Sequence, residues 1–433
     1  MKIGVISLGC AKNLVDTENL LGLLHANGQE IVTSYEEAEA VIINTCGFIE
    51  SAKTEAIDTI LDTADLKDKN LKKLIVMGCL SQRYKPQLEE EMPEVDRFIA
   101  IDEYPRLPMI LSEVLGERIT GSYGKIPRIL SGKPWMAYLR IADGCDNRCS
   151  YCAIPGIRGP MRSVPQKELV QEAQRLAGQG VKEINLIAQD SSRYGYDMDG
   201  QLHLSSLLKE LNAIEGLHWI RILYLYPDEI PDDLIATMKE CEHVLPYFDI
   251  PVQHGSDRML RAMSRRGSRA LILERCRRIR EELPDAVLRT TLICGFPGET
   301  EEDHRESLSM IEAVGWDHLG AFTYSREEDT PAYDLDDSIP PEEKQRRLEE
   351  VMRLQESISR ERLQRFIGTV QEVMVERYDN LTEMYVGRSA LYAPDEVDGS
   401  VRFRSEAFHE PGDFVMVNIT RAASHNLLGE ETE

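Results

Sequence analysis

Cys145, Cys149 and Cys152 are the side chains of this chain best suited to chemistry. They lie in Asp143-Gly144-Cys145-Asp146-Asn147-Arg148-Cys149-Ser150-Tyr151-Cys152 with the spacing C-x3-C-x2-C, and no fourth cysteine follows nearby. A structural zinc ion takes four ligands in a closed tetrahedron, and an ordinary ferredoxin cluster takes four thiolates. Three thiolates on a four-iron cubane leave one iron open to a substrate or cofactor. A loop zinc site or three unliganded thiols is the plainer alternative.

A second set of cysteines is spread along the N-terminal part of the chain. Apolar runs end in Leu8-Gly9-Cys10, Asn44-Thr45-Cys46 and Met77-Gly78-Cys79, with intervals of 36 and 33 residues, about one strand–helix unit each. In open α/β sheets, ligands bind beyond the carboxyl ends of the strands. Three cysteines placed there would converge in space although they are far apart in sequence. Any one of them alone reads as an inert packing thiol. Together they read as ligands of a second iron–sulfur cluster, again with one open iron.

The elements that must position these thiols follow from the hydrophobic periodicity. From Met1 to about Ser131, the runs Lys2–Leu8, Ala40–Thr45, Leu74–Met77 and Arg97–Ile101 alternate with helical patterns at Asn13–Ala26, Ile49–Ala64 and Gln82–Met92. This predicts a parallel sheet covered on both faces. Gly121–Lys133, rich in Gly and Pro, reads as a linker. From about Pro134 to Phe366, six strand–helix units predict a partial (β/α)6 barrel, with the triple-cysteine loop after its first strand. The last of these helices, Pro341–Phe366, reads as a solvated face of mixed charge with an apolar stripe. From Gly368 onwards, the short strands Val370–Arg377, Thr382–Ala390, Val401–Phe403 and Phe414–Thr420 predict a small OB-like β-barrel. The fold class is therefore α/β, in three units: 1–131, 132–366 and 367–433.

The 433 residues carry a net charge of −25, and the last unit holds 13 acids against 5 bases. A polyanion is repelled at long range by such a chain, so tight nucleic-acid binding is not expected and a basic protein partner is favoured. No apolar run approaches a membrane span and the first residues read as a strand, so no membrane association is expected. Nine cysteines without targeting argue for the reducing cytoplasm.

The triple-cysteine loop, with Tyr151 just before the third thiol, resembles the radical S-adenosylmethionine (SAM) superfamily. Strand-end cysteines, that loop and a terminal β-barrel together resemble the methylthiotransferases over nearly the whole chain. Gly9-Cys10-Ala11-Lys12-Asn13-Leu14-Val15-Asp16, Asn44-Thr45-Cys46-Gly47-Phe48-Ile49, Ala188-Gln189-Asp190, Tyr224-Leu225-Tyr226-Pro227 and Asp249-Ile250-Pro251-Val252-Gln253-His254 look like the RimO type. Val164 and Ser424-His425-Asn426-Leu427 depart from that type's pattern, in peripheral segments. The resemblance implies an enzyme that adds a methylthio group to the β-carbon of an aspartate in the twelfth protein of the small ribosomal subunit. The sister branch, which modifies a tRNA adenosine, is the alternative, and a non-enzymatic iron–sulfur carrier is the minor one.

The resemblance also implies the cofactors. Two 4Fe–4S clusters are expected, one on Cys145, Cys149 and Cys152 for SAM cleavage and one on Cys10, Cys46 and Cys79 for sulfur. Tyr151, Gln189, Asp190, Gln253, Ile293 and Gly295 are the expected SAM-binding residues. An electron donor such as flavodoxin or ferredoxin is implied. Cys241, Cys276 and Cys294 are expected to be packing or lining thiols. The Glu299-Thr300 pair is expected to cap a helix.

Overall fold

Ala40–Thr45 is buried at every residue, and a strand covered on both faces belongs in the middle of a parallel sheet. The computed structural model, which describes residues 1–395 and 397–432, places it there. Strands β1 (Lys2–Ser7), β2 (Glu30–Val32), β3 (Ala40–Thr45), β4 (Lys73–Gly78) and β5 (Arg97–Ile99) form a sheet in the order β2-β1-β3-β4-β5, all pairs parallel. Helices α1 (Ala11–Ala26), α2 (Glu50–Ala64), α3 (Cys79–Glu91) and α4 (Leu107–Leu115) connect and cover it. Strand β2 was not expected from the apolar runs. It is a three-residue edge strand with its first two residues exposed, so it carries no core pattern. Because β1, β3 and β4 are parallel neighbours, their carboxyl ends open side by side.

The second sheet begins with β6 (Met136–Arg140). A ribbon of β7 (Ala142–Asp143) and β8 (Arg162–Ser163) brackets the triple-cysteine loop. Then β9 (Glu183–Ile187), β10 (Trp219–Ile222), β11 (Val244–Asp249), β12 (Val287–Cys294) and β13 (His318–Thr323) complete the order β13-β12-β11-β10-β9-β6, again all parallel. The first and last strands are edges, so the barrel is partial. Its helices are α5 (Ile154–Arg158), α6 (Gln166–Gly178), α7 (Tyr196–Asp199), α8 (Leu204–Asn212), α9 (Asp232–Glu240), α10 (Asp257–Ala262), α11 (Arg269–Glu282), α12 (Glu301–Val314) and α13 (Pro341–Leu363).

Two local expectations need correction and one needs extending. Gly121–Lys133 is no free linker: buried Arg128 bonds Glu18 of α1, Glu172 of α6 and the Tyr138 carbonyl, strapping the first sheet to the barrel. The expected apolar stripe of α13 is present, with Leu348, Val351, Met352, Leu354 and Ile358 on the barrel core, but the helix also buries polar side chains. Arg347 donates to the Glu299 carbonyl, Gln355 to the Trp316 carbonyl and Ser359 to the Asp317 carbonyl, at 2.8–3.0 Å. Helix α12 is capped by a reciprocal Thr300–Asp303 box, whereas Glu299 is buried against His254 and Arg347.

The C-terminal unit is a closed barrel of β14 (Val370–Asp379), β15 (Met384–Arg388), β16 (Val401–Arg404), β17 (Phe414–Ala422) and β18 (Leu427–Glu431), in the order β14-β15-β16-β18-β17. Strand β18 was missed in the sequence because it is short and ends in two glutamates. Only Leu427 and Gly429 of β18 are buried.

The segment after β15 reaches into the open barrel, and each of the six barrel strands supplies one side chain to hold this unit. Tyr138 bonds Asp395, Arg221 donates to the Ala390 carbonyl at 3.0 Å, and Tyr247 donates to Asp398 at 2.6 Å. Arg289 pairs with Asp398 at 3.1 Å, and His318 meets the Leu391 carbonyl at 2.8 Å. Glu183 takes both Arg221 and Arg388, all three wholly buried, while Arg388 also pairs with Glu376 at 2.7 Å. Glu183 and His318 open their strands, so this insertion fills the amino end of the barrel and leaves the carboxyl end free.

Removing one partner of such a buried network leaves a stranded charge, which costs about 3–5 kcal/mol. Arg388→Met is therefore expected to loosen the C-terminal barrel, read as earlier proteolysis near residue 390 and a lower urea midpoint. Burial opposes ionisation of Glu183 and Glu376, but their arginines hold both carboxyls below the ordinary range. Docking is then strongest above the usual carboxylate pKa and weakens as acid protonates these groups. A wild-type midpoint for the R388M protein at neutral pH would refute this account.

Candidate active site

Cys10 is the N-cap of α1, Cys46 follows β3, and Cys79 opens α3, so each N-terminal thiol sits where a central strand gives way to its crossover. Gly9 permits the approach: its φ is +90°, and a Cβ there would stand 2.6 Å from the Cys46 Cβ. Asn13 knits the ends together, donating to the Leu8 and Thr45 carbonyls at 3.0 and 3.1 Å. Its Oδ1 lies 3.6 Å from the Cys79 Sγ.

The second triad is held as tightly. The Cys145 amide donates to the Gly159 carbonyl at 3.1 Å, and Ser150 is clamped through its amide to Met263 and its hydroxyl to Ala262, both at 2.9 Å. Gly144 (φ +75°) lets the loop pass Pro160, whose carbonyl oxygen would be 2.1 Å from a Cβ. Tyr226 Oη is 3.3 Å from the Cys149 Sγ, and Arg265, stacked 3.9 Å over the Tyr226 ring, is 3.7 Å from the same sulfur.

Arg158, which is not among the residues expected from the sequence, joins the two sets. It lies at the end of α5, six residues after Cys152, and is buried. Its guanidinium donates to Asn13 Oδ1 at 2.9 Å and Asp16 at 3.0 Å, pairs with Asp143 at 3.2 Å, and sits 3.9 Å from the Cys79 Sγ. Burial would raise the Asp143 carboxyl, but Arg140 and Arg158 hold it at about 2. The signal was present in the spacing: Asn13 and Asp16 follow the first cysteine by three and six residues on one face of α1, and Asp143 precedes Cys145 by two.

The other expected residues also gather at the carboxyl end of the barrel. Tyr151 and Ile293 pack on one apolar cluster with Met259, Met263, Phe296 and Tyr324. Gln253 bridges β12, its amide donating to Thr291 and its carbonyl accepting from Ile293, both at 2.8 Å. It does so at φ +72°, a strained conformation for a residue with a side chain; Tyr224, two residues beyond β10, has φ +64°. Gly295 lies against the Lys344 stem and donates its amide to Glu299. Asp190 accepts from Asn147, within the cysteine loop, at 2.7 Å, and burial raises its carboxyl to about 6. Gln189 turns its Nε2 to Asp143 at 3.4 Å and leaves Oε1 buried without a partner. Cys241, Cys276 and Cys294 are buried members of the barrel core.

Burial pushes the Cys79 and Cys152 thiols up to about 12, with Arg158 acting against it on the first. These sulfurs stay protonated unless a metal centre displaces the protons, as thiolate ligation requires. All six cysteines are free of disulfides. Such a donor set suits an iron–sulfur cluster. Among the described residues, no three Cys, His, Asp or Glu side chains close on a single-ion site.

Residues 2–100 match the model of Uncharacterized protein family UPF0004, residues 139–311 that of the Radical SAM superfamily, and residues 367–431 that of the TRAM domain. The chain is 45% identical to the ribosomal protein uS12 methylthiotransferase RimO of Acetivibrio thermocellus, over 99% of this chain and 98% of that one. It is 46% identical to the RimO proteins of Alkaliphilus oremlandii and Aquifex aeolicus, with 98% or more of each chain covered. The chain belongs to the RimO methylthiotransferase family.

As a RimO-family radical SAM methylthiotransferase, it shares its fold with enzymes of very different sequence. The methyltransferase TsrM from Kitasatospora setae, solved with tryptophan and a SAM analogue, aligns with a TM-score of 0.58 at 13% identity, over 86% of this chain and 78% of that one. The cobalamin-dependent enzyme OxsB, solved with SAM, aligns at 0.52 and 12% identity over 82% of this chain, which spans 56% of OxsB. At such identities the likeness concerns the fold alone. Among the described residues, no helix is long and apolar enough to cross a membrane.

Proposed function

We propose that this RimO-family chain adds a methylthio group to the β-carbon of an aspartate in ribosomal protein uS12, in the cytoplasm. The observation that carries the reading is the pairing of two cysteine triads, each at the carboxyl ends of a parallel sheet, linked through Arg158. Cys145, Cys149 and Cys152 would hold one 4Fe–4S cluster with SAM, and Cys10, Cys46 and Cys79 a second. These groups supply one-electron cleavage of SAM, hydrogen abstraction from an unactivated carbon and the sulfur to be inserted, none of which a side chain can do.

The protein's part is to bind, orient and exclude water. Asn147 and Asp190 fix the cysteine loop against the end of β9, and Tyr226 and Arg265 place donors on the Cys149 sulfur. Tyr151 and Ile293 offer an apolar wall, while Gln189, Asp190, Gln253 and Gly295 offer polar groups at one rim for the SAM amino acid and nucleoside. Electrons would come from a small carrier such as flavodoxin or ferredoxin.

The net charge of −25 supports a basic protein substrate over tRNA. Which acids face that partner is narrower than the charge count implied: Glu376 is buried with Arg388, Glu372 pairs with His218, and Asp395 is tied to Tyr138. Glu396 lies outside the described residues. Glu383, Glu406 and Glu410 are exposed and, among the described residues, make no ion pair. Reversing these three to Lys is expected to slow modification of uS12 by about ten-fold at low ionic strength, the gap closing as salt rises. The deciding experiment is mass spectrometry of uS12 and of tRNA after incubation with reconstituted enzyme, SAM and reductant. A methylthio-aspartate in uS12 is the expected product; modified tRNA with untouched uS12 would replace this reading with that of the sister branch.

A further inference from the structure

Lys12 is the second residue of α1, two positions after Cys10 and next to Asn13, which bonds Arg158 and touches the Cys79 sulfur. Its side chain is only 7% exposed, and its ammonium stands 3.5 Å from the centroid of the Tyr224 ring. Among the described residues, no carboxylate and no hydrogen-bond acceptor holds it. Five arginines of the two sheets' facing ends, by contrast, are engaged. Arg140 and Arg158 pair with Asp16 and Asp143, Arg128 with Glu18, and Arg266 with Asp228 and Glu229, while Arg265 is spent on Cys149 and the Pro251 carbonyl.

A lysine this largely buried, whose ammonium has only an aromatic face for company, is stabilised when an anion joins it. Tyr224, which supplies that face, lies two residues beyond β10 in a strained conformation. Two residues further on, Tyr226 meets the Cys149 sulfur. Lys12 is thus next in sequence to the residue that touches the Cys79 sulfur and packs on a ring two residues before the one that meets the Cys149 sulfur.

We infer that Lys12 binds the side-chain carboxylate of the substrate aspartate and so selects aspartate over its amide. This rests on the function proposed above. The carbon that loses hydrogen and gains sulfur is bonded directly to the carboxylate carbon, so the group that grips the carboxylate must stand where both triads can reach. Lys12 meets that condition, and a carboxylate completes its charge where a neutral amide would not. An arginine would keep the charge, whereas methionine would fill the space without it.

The test uses cluster-loaded enzyme and two uS12 peptides, one with the target aspartate and one with asparagine in its place. Affinity is read by fluorescence anisotropy, and fold and loading by iron content and thermal unfolding. Wild type is expected to prefer the aspartate peptide by about ten-fold or more, the size of a buried charged contact. Lys12→Met should bring the two affinities within about two-fold of each other, and Lys12→Arg should keep most of the preference. Equal weakening toward both peptides in Lys12→Met would mark a merely structural cation and overturn the inference. An absence of preference in wild type overturns it without any variant. Should wild type modify the aspartate peptide while Lys12→Met keeps full preference, only the role of Lys12 falls; failure of wild type to bind or modify that peptide removes the proposed function with it.

Discussion

Enzyme in which Cys145, Cys149 and Cys152 are all alanine will retain about half of the roughly eight irons expected for two cubanes and will form no 5′-deoxyadenosine from SAM. The loss should be complete because the three thiols have no substitutes nearby. The other cysteines of the barrel, Cys241, Cys276 and Cys294, are buried in its hydrophobic core. The fold should survive, since the loop is also pinned by the Ser150 contacts to Met263 and Ala262 and by the Asn147–Asp190 bond. Iron analysis and chromatographic detection of 5′-deoxyadenosine decide the matter. Continued SAM cleavage by this triple variant would mean that the electron enters elsewhere.

The converse variant, with Cys10, Cys46 and Cys79 as alanine, should still cleave SAM reductively yet transfer no methylthio group. This separation is expected because the two triads stand on different sheets and share no ligand. They communicate through Arg158, which holds Asp143 and Asp16 whether or not Cys79 keeps its sulfur. The exposed Cys10 is the triad member easiest to lose structurally, while Cys46 and Cys79 leave small cavities. Mass spectrometry of uS12 alongside 5′-deoxyadenosine measurement separates the half-reactions. Methylthiolated product at wild-type yield would show that sulfur is delivered without the N-terminal thiols.

Much of this was legible from the chain alone because it is local. Strands such as Ala40–Thr45 announce themselves by continuous apolar runs, and a cysteine placed just beyond each run must lie at a strand's carboxyl end whatever the rest of the fold does. The triple-cysteine loop is one short segment, so the expectation that its three thiols act together needed no tertiary information. Spacing of this kind also sufficed to suggest two clusters and a partial barrel.

What the sequence could not give depends on side chains that meet from distant segments. Gly121–Lys133 has the composition of a linker, and only the fold reveals that Arg128 ties it to Glu18 and Glu172. Glu376 counts as a surface acid in any tally of charge until Arg388 and Lys133 are seen to close over it. Beside its apolar stripe, α13 buries Arg347, Gln355 and Ser359 because the carbonyls of Glu299, Trp316 and Asp317 need donors, a demand that no periodicity records. Arg158 and Lys12 gain their importance in the same way. Their local sequence sets charge and helix position, but whether a charge is shared, as Arg158 is among Asn13, Asp16 and Asp143, or left with an aromatic ring, as Lys12 is, was decided by which segments the tertiary structure packs beside it, since electrostatic energy depends on distance and burial rather than on order along the chain.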